Sequence, residues 1–359
     1  MTAAALAGPR GTSGGPADRL PSLRRRVLPR WAPAASAGAA LVVALALNAA
    51  GALDGVVRVA ALFAVLYAVV LTLLSRAVEG RRCSTDRLAT TLVSGAFLLA
   101  LVPLVSVLWT VVSRGVRRFD LTFFQRSNAG ITARDPGGGA YHAIIGTLEQ
   151  VGLATLIAVP LALLTAVYLV EYGRWPLATA VSYVVDVMTG LQSVVAGLFF
   201  LAFWVLALGQ GFSGFAGSLA LAVLMLPIVS RNTEEMLKLV PDDLREASYA
   251  LGVPRWRTIL GVVLPTALPG IVTGMMLGVA RIFGETAPVL LVVFGNNVIN
   301  NNPFDKAQAS LPLYVFQQVT SGNRTAIDRA WTAALTLIII VMLLNLVARL
   351  VSRRSTVGR

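Results

Sequence analysis

The sequence predicts an all-α polytopic membrane protein of eight spans, and three observations predict it. Of the 359 residues 56% are hydrophobic and only 13% charged, about half the charged share of a soluble domain. Apolar runs of about 20 residues recur along the chain, each long enough to cross a bilayer. These runs do not alternate apolar and polar with period two, which excludes a membrane β-barrel. Mean hydropathy of +0.75 also excludes a disordered chain.

The net charge of +13 would suggest nucleic acid in a soluble protein. In a membrane protein it marks cytoplasmic loops instead, and no nucleic-acid partner is expected. Cys83 is the single cysteine and His142 the single histidine. No intrachain disulfide, Cys/His metal site or histidine-based nucleophile pair is expected, so no catalytic residue, metal or cofactor is assigned.

Residues 1–35 are rich in Gly, Pro, Ala and Arg and read as a disordered cytoplasmic tail. Arg24-Arg25-Arg26, the apolar run 37–53 and Ala50-Gly51-Ala52 have the order of a signal peptide. The basic region is unusually long for one, and a second span follows at once, so an uncleaved helix is expected. The spans are 36–53, 56–75, 89–112, 143–170, 178–208, 212–230, 266–294 and 331–351. The first two, within 36–80, form an accessory hairpin turning at Asp54-Gly55. The fourth, fifth and seventh exceed one straight crossing and must tilt, break or extend along the interface. With the N-terminus inside, cytoplasmic segments carry 20 basic residues and external ones 9, the asymmetry of the positive-inside rule. Both termini, including the tail 352–359, are then cytoplasmic. Five of the external arginines cluster at Arg114, Arg117, Arg118, Arg126 and Arg134.

The loop 231–265 is the most specific feature. Pro241 suits a first helical turn, and Asp242 and Asp243 suit its positive end. Gly252 and Pro254 are stop signals. A short helix over 241–251 results, with Leu244, Ala247 and Leu251 on one face. Small Ala247 and Ser248 let it sit deep in a groove, Gly252 turns the chain, and Glu246 can hold a basic group or cap a turn. No G-x-x-x-x-G-K-[ST] sequence is present, so ATP must be hydrolysed by a separate subunit if it drives transport.

Arg281 and Glu285 lie inside the seventh span. A helix from Pro269 puts Arg281 about 18 Å along, near mid-membrane, where an arginine costs at least ~2.5–3.5 kcal/mol on insertion scales. The i,i+4 spacing permits an ion pair. Gly270, Gly274 and Gly278 fall in the same sector, about 80° wide at ~100° per residue. That face is a candidate translocation path; the alternative is a structural salt bridge between helices. Pro288 is expected to free the carbonyl of Gly284. Asp186 precedes a small polar interruption of the fifth span, Gly190-Leu191-Gln192-Ser193, which exposes backbone donors. Glu149 reads as interfacial, and Tyr141 and His142 as lying at the membrane surface.

Glu246-Ala247-Ser248, three residues, Gly252, nine residues, Val262, one residue and Leu264-Pro265 reproduce the spacing of the coupling loop of ABC-importer permeases. With ARIFGETAPVLLV this resembles the PstA-type phosphate permease family, over about 88–351. Supporting stretches are GGGAYHAIIGTLEQ, AVYLVEYG, MLPIVSRNTEEMLKLVPDDLREASYALGVP, ASLPLYVF and WTAALTLIII. Gln192 stands where the family pattern usually has proline. The resemblance implies a six-span type I ABC-importer permease core over 88–351, with the hairpin added. It implies a bacterial plasma-membrane subunit importing inorganic phosphate among lipid. Its partners are then a sister permease, an ATPase dimer and an extracytoplasmic phosphate-binding protein. The implied substrate path comprises Arg281, Glu285, Thr286 and Ser193. ATPase coupling falls to Glu246, Ala247, Ser248 and Gly252, and helix packing to Gly270, Gly274 and Gly278. The rivals are a permease for another oxyanion or small solute, and an ion-coupled carrier, which would lack the coupling loop. A membrane enzyme comes third, for want of a nucleophile–base or metal set.

Overall fold

A computed structural model describes residues 28–29, 31–50 and 55–357. The predicted tail over 1–27, residues 51 and 52 of the cleavage-like triplet and Asp54 of the hairpin turn lie outside the described residues. All regular elements among the described residues are helices, and the one β-bridge is an isolated pair, Phe294 with Gln308. Seven helices are long and apolar enough to span a bilayer, and a sharply bent pair makes an eighth. The chain is a multi-pass membrane protein.

Two compact units divide at Ser106 and Val107. The first holds α1 (Ala32–Ala49), α2 (Val56–Val78) and most of α3 (Arg81–Gly115). Helix α1 starts at Ala32, ahead of the predicted 36, and α2 and α3 run beyond the predicted spans. Ser36, Ala40 and Ala44, one turn apart, are buried, a small-residue stripe of the kind that brings membrane helices close. At the corner between α2 and α3, Glu79 accepts hydrogen bonds from the Arg87 guanidinium, the Leu28 N–H and the Ser75 hydroxyl. The Arg87 hydrogen bonds, ahead of the others, hold its carboxyl down to about 2. The corner therefore keeps its full stabilisation above the ordinary carboxylate range and loses it as pH falls toward that value.

The second unit carries α4 (Leu121–Gln125), α5 (Tyr141–Val167), α6 (Leu177–Thr189), α7 (Ser193–Phe200), α8 (Gly214–Lys238), α9 (Asp242–Ala250), α10 (Arg255–Thr258), α11 (Leu264–Phe283), α12 (Ala287–Val292), α13 (Leu311–Thr320) and α14 (Arg324–Val357). Helix α14 runs on through much of the predicted tail 352–359. Helix α8 is the centre. Ala154, Ala158 and Ala162 of α5 recur every four residues and are buried with Ala216, Ala220, Leu221, Met225 and Val229 of α8. On its other side α8 meets the glycines of α11. Stripes of small residues let backbones approach where lipid offers no hydrophobic drive for association.

The far end, opposite α9, is organised by an arginine. Arg329 of α14 is fully buried. It donates to the Gln318 side chain of α13 and to the carbonyls of Thr132, Asp135 and Gly137. The irregular segment before α5 is thereby tied to two helices. Arg329→Met removes all four bonds and leaves their acceptors desolvated, so the purified protein should lose about 3 kcal/mol of stability, read as a lowered thermal unfolding midpoint. His142 is also at this end. It is buried edge-on against Tyr314 at 5.4 Å, because α13 covers the start of α5. Ser310 as N-cap and Pro312 in the first turn mark the start of α13 in the stretch between the seventh and eighth spans.

Candidate functional site: two broken spans and a coupling helix

The fifth and seventh spans both break. The fifth bends by 103° between Leu177–Thr189 and Ser193–Ala207, across Gly190-Leu191-Gln192. Ser193 begins α7 and is half-buried. The seventh span runs continuously as helix from Arg255 through Phe283, stops at Gly284-Glu285-Thr286 and resumes as α12. Pro288 sits in the first turn of this second helix, where its missing N–H costs nothing. The two resumed segments pack on each other: a Cβ at Gly197 of α7 would lie 2.8 Å from Pro288. Non-helical backbone at membrane depth persists only where protein or a water-lined path covers it.

Arg281 and Glu285 stand at this second break. Nε of Arg281 is 3.9 Å from Oε1 of Glu285, and their side chains are 61% and 18% exposed. The separation is electrostatic contact, too long for a hydrogen bond. The arginine makes no other ion pair among the described residues. Glu285 lines a small cavity with Thr147, Gln150 and Ser310. Thr286 precedes α12 without a side-chain cap. Among the described residues no hydrogen bond joins Ser193 to Arg281; the Gly197–Pro288 packing is what places their segments together.

The glycines of the stripe pack against α8. A Cβ at Gly270 would meet Met236 at 2.2 Å, at Gly274 would meet Asn232 at 2.5 Å, and at Gly278 would meet Val229 at 2.9 Å, all on α8. The three glycines are packing residues, and Arg281 is exposed beyond them. Arg281 stays in the predicted 80° sector by helical angle, whereas Glu285 leaves it, because it lies past the end of α11 where that angle no longer applies.

Asp186 and Glu149 are structural. Asp186 of α6 accepts from Arg231 of α8, whose other nitrogen reaches Glu234, itself bonded to Lys238. Glu149 accepts from Gln308, which is buried and also bonds Gln150 and the carbonyl of Asn300. Residue spacing gives no signal for this contact across 159 positions.

The helix predicted for the loop 231–265 is α9, with Pro241 as its N-cap residue and Asp242 and Asp243 in its first turn. Glu246 and Ala247 are exposed, as are Leu244, Tyr249 and Leu251. Ser248 is buried against its own chain, its hydroxyl 2.8 Å from that of Thr258. The expectation that Ser248 enters a groove with Ala247 is therefore corrected: it joins α9 to α10. Gly252 has φ +76°, and a Cβ there would meet nothing within 4 Å, so backbone sign rather than space demands glycine. Glu246 makes no ion pair among the described residues. The residue that seats the helix is Arg245. It bonds Glu171 through two nitrogens at 3.1 and 3.0 Å, the carbonyls of Leu237 and Val240, and Asp242. Glu171 lies at the end of α5, in a wide helical turn over Tyr168–Tyr172, and is almost fully buried.

A model of the binding-protein-dependent transport system inner membrane component matches residues 158–356, more than half the chain, and the chain belongs to that family. Its relatives narrow the kind. The "Phosphate transport system permease protein PstA 1" of Mycobacterium tuberculosis (strain CDC 1551 / Oshkosh) is 48% identical over 274 residues, 76% of this chain and 90% of that protein. The corresponding PstA of Mycobacterium leprae (strain TN) is 48% identical with the same coverage, and that of Yersinia pestis is 38% identical over 75% of this chain and 90% of its own. Among solved structures, a bacterial alginate ABC transporter chain in complex with its pentasaccharide-bound periplasmic protein shares the fold. It has TM-score 0.56 and 16% identity, over 75% of this chain and 95% of that one.

Proposed function

We propose that this chain is the transmembrane permease subunit of an ATP-driven importer of inorganic phosphate, and that Arg281 is the anion's stopping point on its path. The observation that carries the reading is a guanidinium left largely exposed at the break of a membrane-spanning helix, with one carboxylate at 3.9 Å. A charge inside a span is costly unless it faces a path or a partner. A fixed guanidinium offers forked donors to phosphate oxygens. The carboxylate offsets it, so binding stays weak enough for release. Glu285 can also accept from a protonated phosphate, a bond that sulfate at neutral pH does not offer. Thr286 and Ser193, at the starts of the two resumed helices, add hydroxyls and backbone N–H groups near the path.

A sister permease supplies the other half of the path, an extracytoplasmic binding protein delivers phosphate, and a separate ATPase dimer docks on α9. The exposed apolar face of Leu244, Ala247 and Leu251 supports that docking, with Glu246 at its edge. Both termini are cytoplasmic in this reading. The test is co-expression and purification of the complex. Phosphate-loaded binding protein should stimulate ATP hydrolysis, and sulfate-exposed binding protein should not. A complex that hydrolyses ATP equally with both rejects phosphate as the substrate. The hairpin over 36–80 is accessory: deletion to about residue 80 should leave phosphate uptake within about twofold of the parent, and loss of uptake with normal assembly would place it in the mechanism.

A further inference from the structure

The far end of the second unit carries a basic pocket that the translocation path does not use. A cavity of about 420 Å³ is lined by Arg114, Arg117, Gly322, Arg324, Ile327 and Asp328. It lies where α3 ends and α14 begins. Gly115 brings these ends together, since a Cβ there would lie 2.7 Å from Leu335 and 2.9 Å from the Trp331 carbonyl. The Thr332 hydroxyl donates to the Gly115 carbonyl at 2.9 Å. This end is opposite α9, because Glu171 at the other end of α5 holds Arg245.

The three arginines are exposed, and none makes an ion pair among the described residues. Arg114 stacks over the Trp331 ring at 5.4 Å, which holds one guanidinium in place and marks the interfacial level where tryptophan concentrates. Asp328 subtracts one charge, leaving the pocket net positive. An exposed apolar strip, Trp109 and Val112 of α3 with Val116 of the turn that follows, runs up to Arg117. A free anion has no use for that strip. A phospholipid uses both, its chains on the strip and its headgroup phosphate in the pocket.

We infer that Arg114, Arg117 and Arg324 form a site for the phosphate of an anionic phospholipid headgroup, seated at the membrane surface between α3 and α14. Guanidinium forks suit phosphodiester oxygens, and uncompensated basic groups at a membrane surface favour anionic over zwitterionic lipid. The site stands independently of the phosphate-import reading, since it needs only that the chain spans a membrane.

The test is native mass spectrometry of the full chain after incubation in nanodiscs of equimolar phosphatidylglycerol and phosphatidylcholine. The parent should retain phosphatidylglycerol in preference to phosphatidylcholine. Arg117→Gln with Arg324→Gln should reduce that retention by roughly thirtyfold, the scale of two basic groups at a membrane surface. Asp328→Asn should raise it, and this variant keeps the test decisive if the double variant folds poorly. Equal retention by parent and double variant overturns the site. Displacement of phosphatidylglycerol by millimolar inorganic phosphate, with the phosphate itself retained in lipid-free detergent, overturns the lipid assignment. So does a double variant that retains lipid normally but no longer binds the extracytoplasmic protein.

Discussion

Arg281→Gln is expected to lower phosphate uptake by about two orders of magnitude, on the ~2–5 kcal/mol scale of removing one member of a desolvated charge contact, while the subunit still assembles. The geometry separates these two effects. A structural ion pair would be buried and hydrogen-bonded, and breaking it would leave an uncompensated buried charge at a cost of about 3–5 kcal/mol. Arg281 is 61% exposed and only within electrostatic contact of Glu285, so its removal takes no hydrogen bond from the fold. Glu285→Gln should also slow uptake, but by holding the anion longer, since the offsetting charge is gone. Uptake of labelled phosphate into proteoliposomes, set beside the yield of intact complex, checks both. A well-assembled Arg281→Gln complex importing at the parent rate would remove Arg281 from the path.

Local patterns made the spans and the coupling helix legible. Apolar runs of bilayer length and the Pro241, Asp242 and Gly252 signals each act within a few residues, and α9 falls where they place it. The break of the fifth span was legible for the same reason, as Gly190-Leu191-Gln192 interrupts an apolar run. What escaped depends on distant partners. Arg329 reads as one more external basic residue, yet the fold buries it on carbonyls nearly 200 positions away. The alanines of α5 carry no charge or motif, yet they set how closely α8 approaches. A common face for Gly270, Gly274, Gly278, Arg281 and Glu285 requires an unbroken helix, and sequence offers no measure of the stop at Phe283 that removes Glu285 from it.

The coupling helix supplies the second large effect. Arg245→Met should uncouple ATP hydrolysis from phosphate uptake while leaving the membrane-embedded helices in place. Among the described residues, Arg245 is the only side chain that bonds both the end of α5, at Glu171, and the end of α8, at Leu237 and Val240. Methionine fills the same space without a donor, so Glu171, with only 3% of its side chain exposed, loses its partner. Stranding one member of a buried pair costs about 3–5 kcal/mol. Here the cost falls on the docking of α9 alone, because α5 and α8 are held to each other by the buried alanine stripe. A docked ATPase then moves a helix that no longer pushes on two spans at once. Arg245→Lys should recover little, because an ammonium cannot reproduce the two-nitrogen contact with Glu171. Glu171→Gln should keep more function, since an amide oxygen still accepts from the guanidinium. ATP hydrolysis and phosphate uptake measured on one preparation separate coupling from assembly. Hydrolysis near the parent rate with uptake reduced at least tenfold is the expected result. A fully coupled Arg245→Met complex would mean that α9 transmits motion through its exposed face and Thr258 contact without this clamp.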